Sequence, residues 1–105
     1  MKDITLGKTG IVSPQNAFGA LPVQRVPLDE AIKLLRRAYE GGFTFFDTAR
    51  DYTDSEVKLG AAFDGMREKI HIASKTHAHT PEKLREELKI TLDNLRTDYL
   101  DLYQL

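Results

Sequence analysis

Three side chains of complementary chemistry lie close together in the middle of the chain: a carboxylate at Asp47, a phenol at Tyr52 and an ammonium at Lys75. Asp47 closes the apolar run from Phe43 to Phe46, and Lys75 follows a second such run, Ile70 to Ala73, so both read as polar residues at matching strand ends. A phenol can give its proton to an oxygen on which negative charge is developing. Its ordinary pKa of about 10 makes it a weak acid near neutrality, and a neighbouring ammonium strengthens it by stabilising the phenolate. A carboxylate beside that ammonium keeps the amine charged and aims it at the phenol. The trio suits reduction of a carbonyl group, in which a hydride goes to carbon and a proton to oxygen. No amino-acid side chain supplies the hydride, so the chemistry calls for a cofactor.

The elements that would hold these residues are legible as an alternation of strands and helices. Ile4 to Val12, broken by Gly7, Lys8, Thr9 and Gly10, suits a small hairpin. Asn16 to Phe18 is a short first strand running into Gly19, where the missing side chain lets backbone approach a ligand. Leu28, Ala31, Ile32, Leu35, Ala38 and Tyr39 recur at helical spacing, and Gly41 with Gly42 ends that helix. Phe43 to Asp47 is the second strand. A second helix, capped by Asp54 or Ser55, runs to about Phe63, with Leu59, Ala62 and Phe63 on its buried side. Ile70 to Lys75 is the third strand, and Thr80 with Pro81 opens a third helix lined by Leu84, Leu88, Leu92 and Leu95. Tyr99 to Leu105 reads as a fourth strand. This order predicts a parallel sheet with right-handed crossovers, whose ligand side is the carboxyl end of the strands.

Beyond these patterns, FFDTA, Tyr52 followed by Asp54, Ser55 and Glu56, then Leu59 and Gly60, ASK ending in Lys75, and TDYLDLYQL stand in an order and spacing that resemble the aldo-keto reductase family. The resemblance covers essentially the whole chain. ALPVQRV after Gly19, TARDYTDSE and SKTHAHT are similar to bacterial members, some of which carry a carboxyl-terminal iron-sulfur module. It implies an α/β fold, the amino-terminal half of a (β/α)8 TIM barrel, with about four parallel strands, three intervening helices and a hairpin that closes the barrel floor. It implies Asp47, Tyr52 and Lys75 as three members of a catalytic tetrad, with a histidine directly after YLDLYQL, beyond Leu105. It also implies NADPH, with NADH as the other choice, and places part of the nicotinamide end at Gly19, Ala20 and Asp47. The substrate would be a small carbonyl compound.

Length and composition bound these expectations. A (β/α)8 barrel takes about 200 to 250 residues, so 105 residues are expected to form one partial barrel domain spanning 1–105 and to be inactive alone. Hydrophobic content of 41% with 30% charged residues suits a globular protein. A net charge of -1 gives no basic field for nucleic acid or an anionic membrane. The absence of cysteine excludes disulfides, a thiolate nucleophile and a cysteine-ligated iron-sulfur cluster within these residues. With no apolar run of signal-peptide or membrane-span length, the chain is expected to be cytoplasmic.

Each residue also has a plainer reading. Taken singly, Asp47 is a strand-end turn residue, Tyr52 a loop aromatic and Lys75 a surface charge; only their order within one motif argues otherwise. Glu56 stands near a helix start, which favours dipole compensation or a structural hydrogen bond over acid-base chemistry. His77 and His79 are spaced to chelate zinc but have no patterned third ligand, so no metal is expected. His71, within an apolar strand, reads as a hydrogen-bonded core histidine. Gly7, Lys8 and Thr9 fail as a phosphate loop, Tyr52 and Lys58 fail the spacing of a short-chain dehydrogenase pair, and Asp51 to Ala62 fails as a calcium loop. The competing function is a noncatalytic module: a half-barrel that self-associates, or a reductase-like subunit that binds a protein partner, as potassium-channel beta subunits do.

Overall fold

In a computed structural model that describes residues 2–52 and 54–105, with the side chains of Leu21 and Pro22 left aside, the chain alternates strand and helix as its apolar periodicity predicts. Thr53, within the TARDYTDSE motif, lies outside the described residues. Strands β1 (Asp3–Thr5) and β2 (Val12–Pro14) pair antiparallel as the expected hairpin. Strands β3 (Phe18–Gly19), β4 (Phe45–Asp47), β5 (His71–Lys75) and β6 (Leu102–Gln104) form one parallel sheet in that order. Helices α1 (Leu28–Glu40), α2 (Ser55–Ala62) and α3 (Pro81–Leu95) make the crossovers, and a short 3-10 helix (Leu21–Arg25) follows β3.

Local chemistry sets the helix ends. Asp29 and Glu30 in the first turn of α1 and Arg37 in its last complement the helix dipole. The chain leaves α1 through Gly41 and reverses at Gly42, whose φ of 110° is open to glycine and strained for other residues. Thr80 caps α3 by accepting a hydrogen bond from the Lys83 N–H at 3.2 Å, and Pro81 occupies the first turn, where its missing N–H costs nothing. At α2 the expected cap does not form. Asp54 precedes the helix without a side-chain bond to its backbone; it pairs with Lys58, and the Ser55 hydroxyl is drawn into tertiary contacts.

The core lies between the sheet and the helices, where Phe46, Ile72, Leu35, Leu59 and Phe63 are buried together. The Phe46 and Phe63 rings approach to 4.8 Å between centroids, a separation at which tilted aromatic pairs attract beyond their buried area. As predicted, Leu59, Ala62 and Phe63 are buried. The leucine stripe of α3 is a correction: Leu84, Leu88 and Leu92 are only half-buried, and Thr91 with Leu95 takes the innermost positions. Strands are also shorter than the apolar runs implied. β3 is displaced toward Gly19, Phe43 and Thr44 stay outside β4, and Tyr99 to Asp101 stay outside β6. Apolar runs mark packing more than pairing: Phe43 and Leu100 pack against the core from outside the ladder.

Tyr99 stays outside because its ring lies under the Arg67 guanidinium, 4.0 Å from its centroid. Asp101 does more. Its carboxylate accepts from Arg67 at 2.7 Å, from the Ile72 N–H at 2.9 Å and faces His71 Nδ1 at 3.1 Å, tying the entry of β6 to β5. His71 is therefore hydrogen-bonded as predicted, though half-buried rather than core. Burial raises the Asp101 pKa, but the Ile72 N–H, Arg67 and His71 together outweigh it and hold the group below the ordinary 3.8. The folded state therefore binds this proton less readily than the unfolded chain. The resulting stability is present above about pH 4 and is lost as pH falls through the lowered native value. We expect Asp101→Asn to be less stable at neutral pH by about 1.5–3 kcal/mol, the range for hydrogen bonds to charged groups. Its urea midpoint should fall less steeply on acidification than that of the wild type; equal slopes would remove Asp101 as the acid-sensitive group.

Candidate active site

The carboxyl ends of β3, β4 and β5 are stitched together beyond the strands themselves. Ala20 N–H donates to the Asp47 carbonyl (2.8 Å), Thr48 N–H to the Ala73 carbonyl (2.9 Å) and Arg50 N–H to the Lys75 carbonyl (3.0 Å). Gly19 stands beside Asp47, and Asp47 beside Ala73. Because side chains alternate across a sheet, the burial of Phe46 and Ile72 against the helices sends Asp47, Ala73 and Lys75 to the opposite face.

There the three residues singled out by their chemistry come together. Lys75 Nζ donates to Asp47 Oδ1 at 3.0 Å and to the Thr48 carbonyl at 2.8 Å, and it stands over the Tyr52 ring, 5.0 Å from the centroid. The ammonium thus meets Tyr52 across the ring face, a cation-π approach, where the sequence led us to expect an approach aimed at the phenol oxygen. Asp47 and Thr48 cause the difference, because they draw the amine's donors toward the strand ends. Tyr52 is half-buried on a tight turn: its N–H donates to the Ala49 carbonyl (3.1 Å), and its own carbonyl accepts from Ser55 N–H (2.8 Å).

The first turn of α2 supports this edge from behind, through partners that sequence reasoning missed. Ser55 Oγ donates to the Ala20 carbonyl at 3.0 Å and lies 2.8 Å from Thr48 Oγ1; with its one proton spent on Ala20, it must accept from Thr48. Lys58, almost fully buried, donates to the Val23 carbonyl at 2.7 Å and to Asp54 at 2.9 Å. Glu56, 1% exposed, accepts from Arg50 at 2.6 Å and from Ser74 at 2.8 Å, with Asn94 at 3.3 Å. It makes the structural hydrogen bonds anticipated for it, but to the strand and loop, not to its own helix. The signal available in the sequence was the polar cluster Asp54, Ser55 and Glu56 at the start of the helix, and Ser74 directly before Lys75.

The other predicted residues separate clearly. Gly19 is exposed beside Asp47, with open space where a side chain would project. Ala20 is fully buried and both its backbone polar groups are engaged inside the protein, so it underlies the rim. His77 Nε2 faces Asp51 Oδ2 at 3.1 Å in an exposed pair, and no group of metal-ligating side chains exists among the described residues. The second phenol nearby, Tyr103, faces the helices: burial above all raises its pKa from the ordinary 10.0, the Glu87 and Glu56 charges add to this, and Thr76 opposes it without reaching hydrogen-bonding geometry. A broad surface hollow lined by Arg67, Leu92, Arg96 and Tyr99 lies at the other end of the sheet and contains none of the three site residues.

The donor set fits one end of a nicotinamide cofactor and not the other. Open backbone at Gly19 and the Asp47 carboxylate suit a flat carboxamide ring and ribose hydroxyls. Among the described residues no cluster of free cations at this rim offers a pyrophosphate seat, since Lys75 is already committed to Asp47 and Thr48.

Residues 10–105 match the model of the aldo/keto reductase family. The chain belongs to that family. Among curated reductase relatives, the human aldo-keto reductase family 1 member C2 is 36% identical over 103 residues, which span 90% of this chain and 32% of the relative. The chain therefore spans about a third of that relative's length. An aldo-keto reductase from Bacillus halodurans, solved in its holo form, superposes with a TM-score of 0.89 at 28% identity, covering 100% of this chain and 40% of that one. A Klebsiella pneumoniae aldo-keto reductase in complex with NADPH gives a TM-score of 0.82 at 28% identity, covering 90% of this chain and 35% of that one. The four parallel strands, three helices and hairpin are thus the amino-terminal half of an aldo-keto reductase barrel. Among the described residues no helix is long and apolar enough to cross a membrane.

Proposed function

We propose that this chain supplies the proton-delivering part of a carbonyl-reducing site in an NADPH-dependent aldo-keto reductase. The observation that carries the reading is the Lys75 ammonium, held by Asp47 and Thr48 over the Tyr52 ring at the carboxyl ends of the strands. Bound reduced nicotinamide supplies the hydride. Tyr52 gives its proton to the carbonyl oxygen as charge develops there, and the Lys75 charge stabilises the phenolate left behind. Asp47 pairs with Lys75 and orients it, and Gly19 leaves the neighbouring surface open. The substrate is a small aldehyde or ketone.

In such barrels the phosphate seat is commonly built by loops after the seventh and eighth strands, which are not among these residues. The reading therefore assigns the reactive end of the site to this chain and dinucleotide affinity to the rest of the barrel, together with the histidine that the family pattern places after YLDLYQL. The test is the mass of the purified protein combined with a fluorescence titration of NADPH and an aldehyde-dependent NADPH consumption assay. A protein of barrel length should bind NADPH and consume it with an aldehyde, while a 105-residue species should bind it weakly. A barrel-length protein that leaves NADPH untouched across a panel of aldehydes and ketones would sink the reading.

A further inference from the structure

Glu56 is a carboxylate with almost no solvent contact that the reaction itself does not use. A buried carboxylate is costly unless its lone pairs are filled by charge-assisted hydrogen bonds, and here they are filled from three different elements. Oε1 takes the Arg50 guanidinium at 2.6 Å, with Asn94 of α3 at 3.3 Å, while Oε2 takes the Ser74 hydroxyl at 2.8 Å. Arg50 lies two residues before Tyr52 and Ser74 one residue before Lys75. The two are also joined directly through the backbone, since Arg50 N–H donates to the Lys75 carbonyl at 3.0 Å. One carboxylate therefore grips the loop that carries the phenol and the strand end that carries the ammonium.

Two plainer roles fit the geometry less well. A charge that compensates the α2 dipole would serve as well pointing into water, yet Glu56 is turned inward, with Oε2 on Ser74 of β5 and Oε1 on Arg50. A pair serving stability alone would need only Arg50, and Arg50 already has Glu87 Oε2 at 3.7 Å on its outer side. The bond to Ser74 adds what those roles leave unexplained: a link into the strand end next to Lys75.

We propose that Glu56 is a positioning residue of the carbonyl-reducing site, locking Arg50 and Ser74 into one unit so that the Lys75 ammonium is held over the Tyr52 ring. The proposal rests on the reading of Tyr52 and Lys75 as the proton-delivering pair. Its geometric content stands apart from that reading and can be measured without turnover. With Nζ 5.0 Å from the Tyr52 ring centroid, the adjoining ε-methylene protons are expected to be shifted upfield by the ring current, and Tyr52→Leu defines the unshifted value. Glu56→Leu keeps the volume but removes both acceptors, whereas Glu56→Gln can still accept from Arg50 and donate to the Ser74 hydroxyl.

The expected result is that Glu56→Leu loses most of the Lys75 ring-current shift and the Lys75 to Tyr52 cross-relaxation, with amide resonances of α1 and the hairpin unmoved, and that Glu56→Gln recovers a substantial part. In turnover by the barrel-length protein, Glu56→Leu should lower kcat by about 100-fold, the scale of a misplaced reacting group, with little change in KM for NADPH. A folded Glu56→Leu protein with the ring-current shift intact would overturn the proposal. Should that variant fail to fold, Arg50→Met, at a side chain 24% exposed, and Ser74→Ala cut the two arms separately; an unchanged Lys75 shift in both would overturn it equally. Loss of the shift in Glu56→Leu alongside full turnover by Tyr52→Phe would instead leave the positioning intact and remove the assigned proton donor.

Discussion

Tyr52→Phe is expected to lower the rate of aldehyde reduction by roughly 100- to 10,000-fold, the range for removing a positioned general acid, while leaving the fold and NADPH affinity in place. The substitution is selective because of how Lys75 approaches. The ammonium stands over the ring face, 5.0 Å from the centroid, and donates its hydrogen bonds to Asp47 and the Thr48 carbonyl. A phenylalanine keeps that face and its cation-π attraction, so only the proton is lost. Lys75→Met should produce a comparable loss in kcat by removing the charge that stabilises the phenolate. It also strands Asp47 Oδ1 and the Thr48 carbonyl, so a small loss of stability accompanies it. Residues acting as one unit do not contribute additively, and the double variant should be little worse than either single one. Steady-state NADPH consumption with an aldehyde, compared with NADPH fluorescence titration, separates the two quantities. Turnover by Tyr52→Phe within about twofold of wild type, far inside that range, would mean that another group delivers the proton.

A methyl group added at Gly60 is expected to be among the most destabilising single changes in the chain. An ideal Cβ at this position would overlap the Asn94 carbonyl oxygen and stand 2.9 Å from the Cα and carbonyl carbon of Leu95. All three are backbone atoms of α3, so no side chain can swing aside, and α2 must lift away from α3. That separation would loosen Leu59, Ala62 and Leu95 in the core and draw Asn94 away from Glu56. Overpacking a tight contact costs about 1–3 kcal/mol, and the upper end applies here. For a chain of this size that corresponds to a fall of roughly 10–20 °C in melting temperature, readable by circular dichroism. Gly19→Ala is the counterpart: nothing lies within 4 Å of its added methyl, and its stability should stay within about 0.5 kcal/mol of wild type. Equal melting temperatures for Gly60→Ala and wild type would refute the close approach of α2 and α3.

The two glycines show where sequence reading runs out. Both stand in motifs that the family resemblance picked out, and nothing in the letters separates a glycine that leaves room at the ligand face from one on which a helix rests. That distinction depends on what lies opposite in space. Helix existence was legible because α1 carries a strong apolar period and α3 opens on Thr80 and Pro81, both local signals. Strand bounds were less so, since the runs from Phe43 and Tyr99 stay apolar beyond the ladder. The α2 cap was misread because Asp54 and Ser55 have the right chemistry for capping, yet a stronger demand from Lys58, Thr48 and Ala20 took their side chains.

The sequence by itself determined the alternation of strand and helix, the parallel sheet and the candidate trio Asp47, Tyr52 and Lys75, because apolar periodicity, turn residues and motif spacing are properties of neighbours along the chain; the half-barrel came from the family resemblance. Only the tertiary structure decided that Lys75 meets Tyr52 across its ring, that Glu56 binds the two flanking elements together and that α2 rests on Gly60. In the case of Glu56 the partners lie 6, 18 and 38 positions away, and such contacts are selected by packing and by the need of buried polar groups for partners, which no local pattern records.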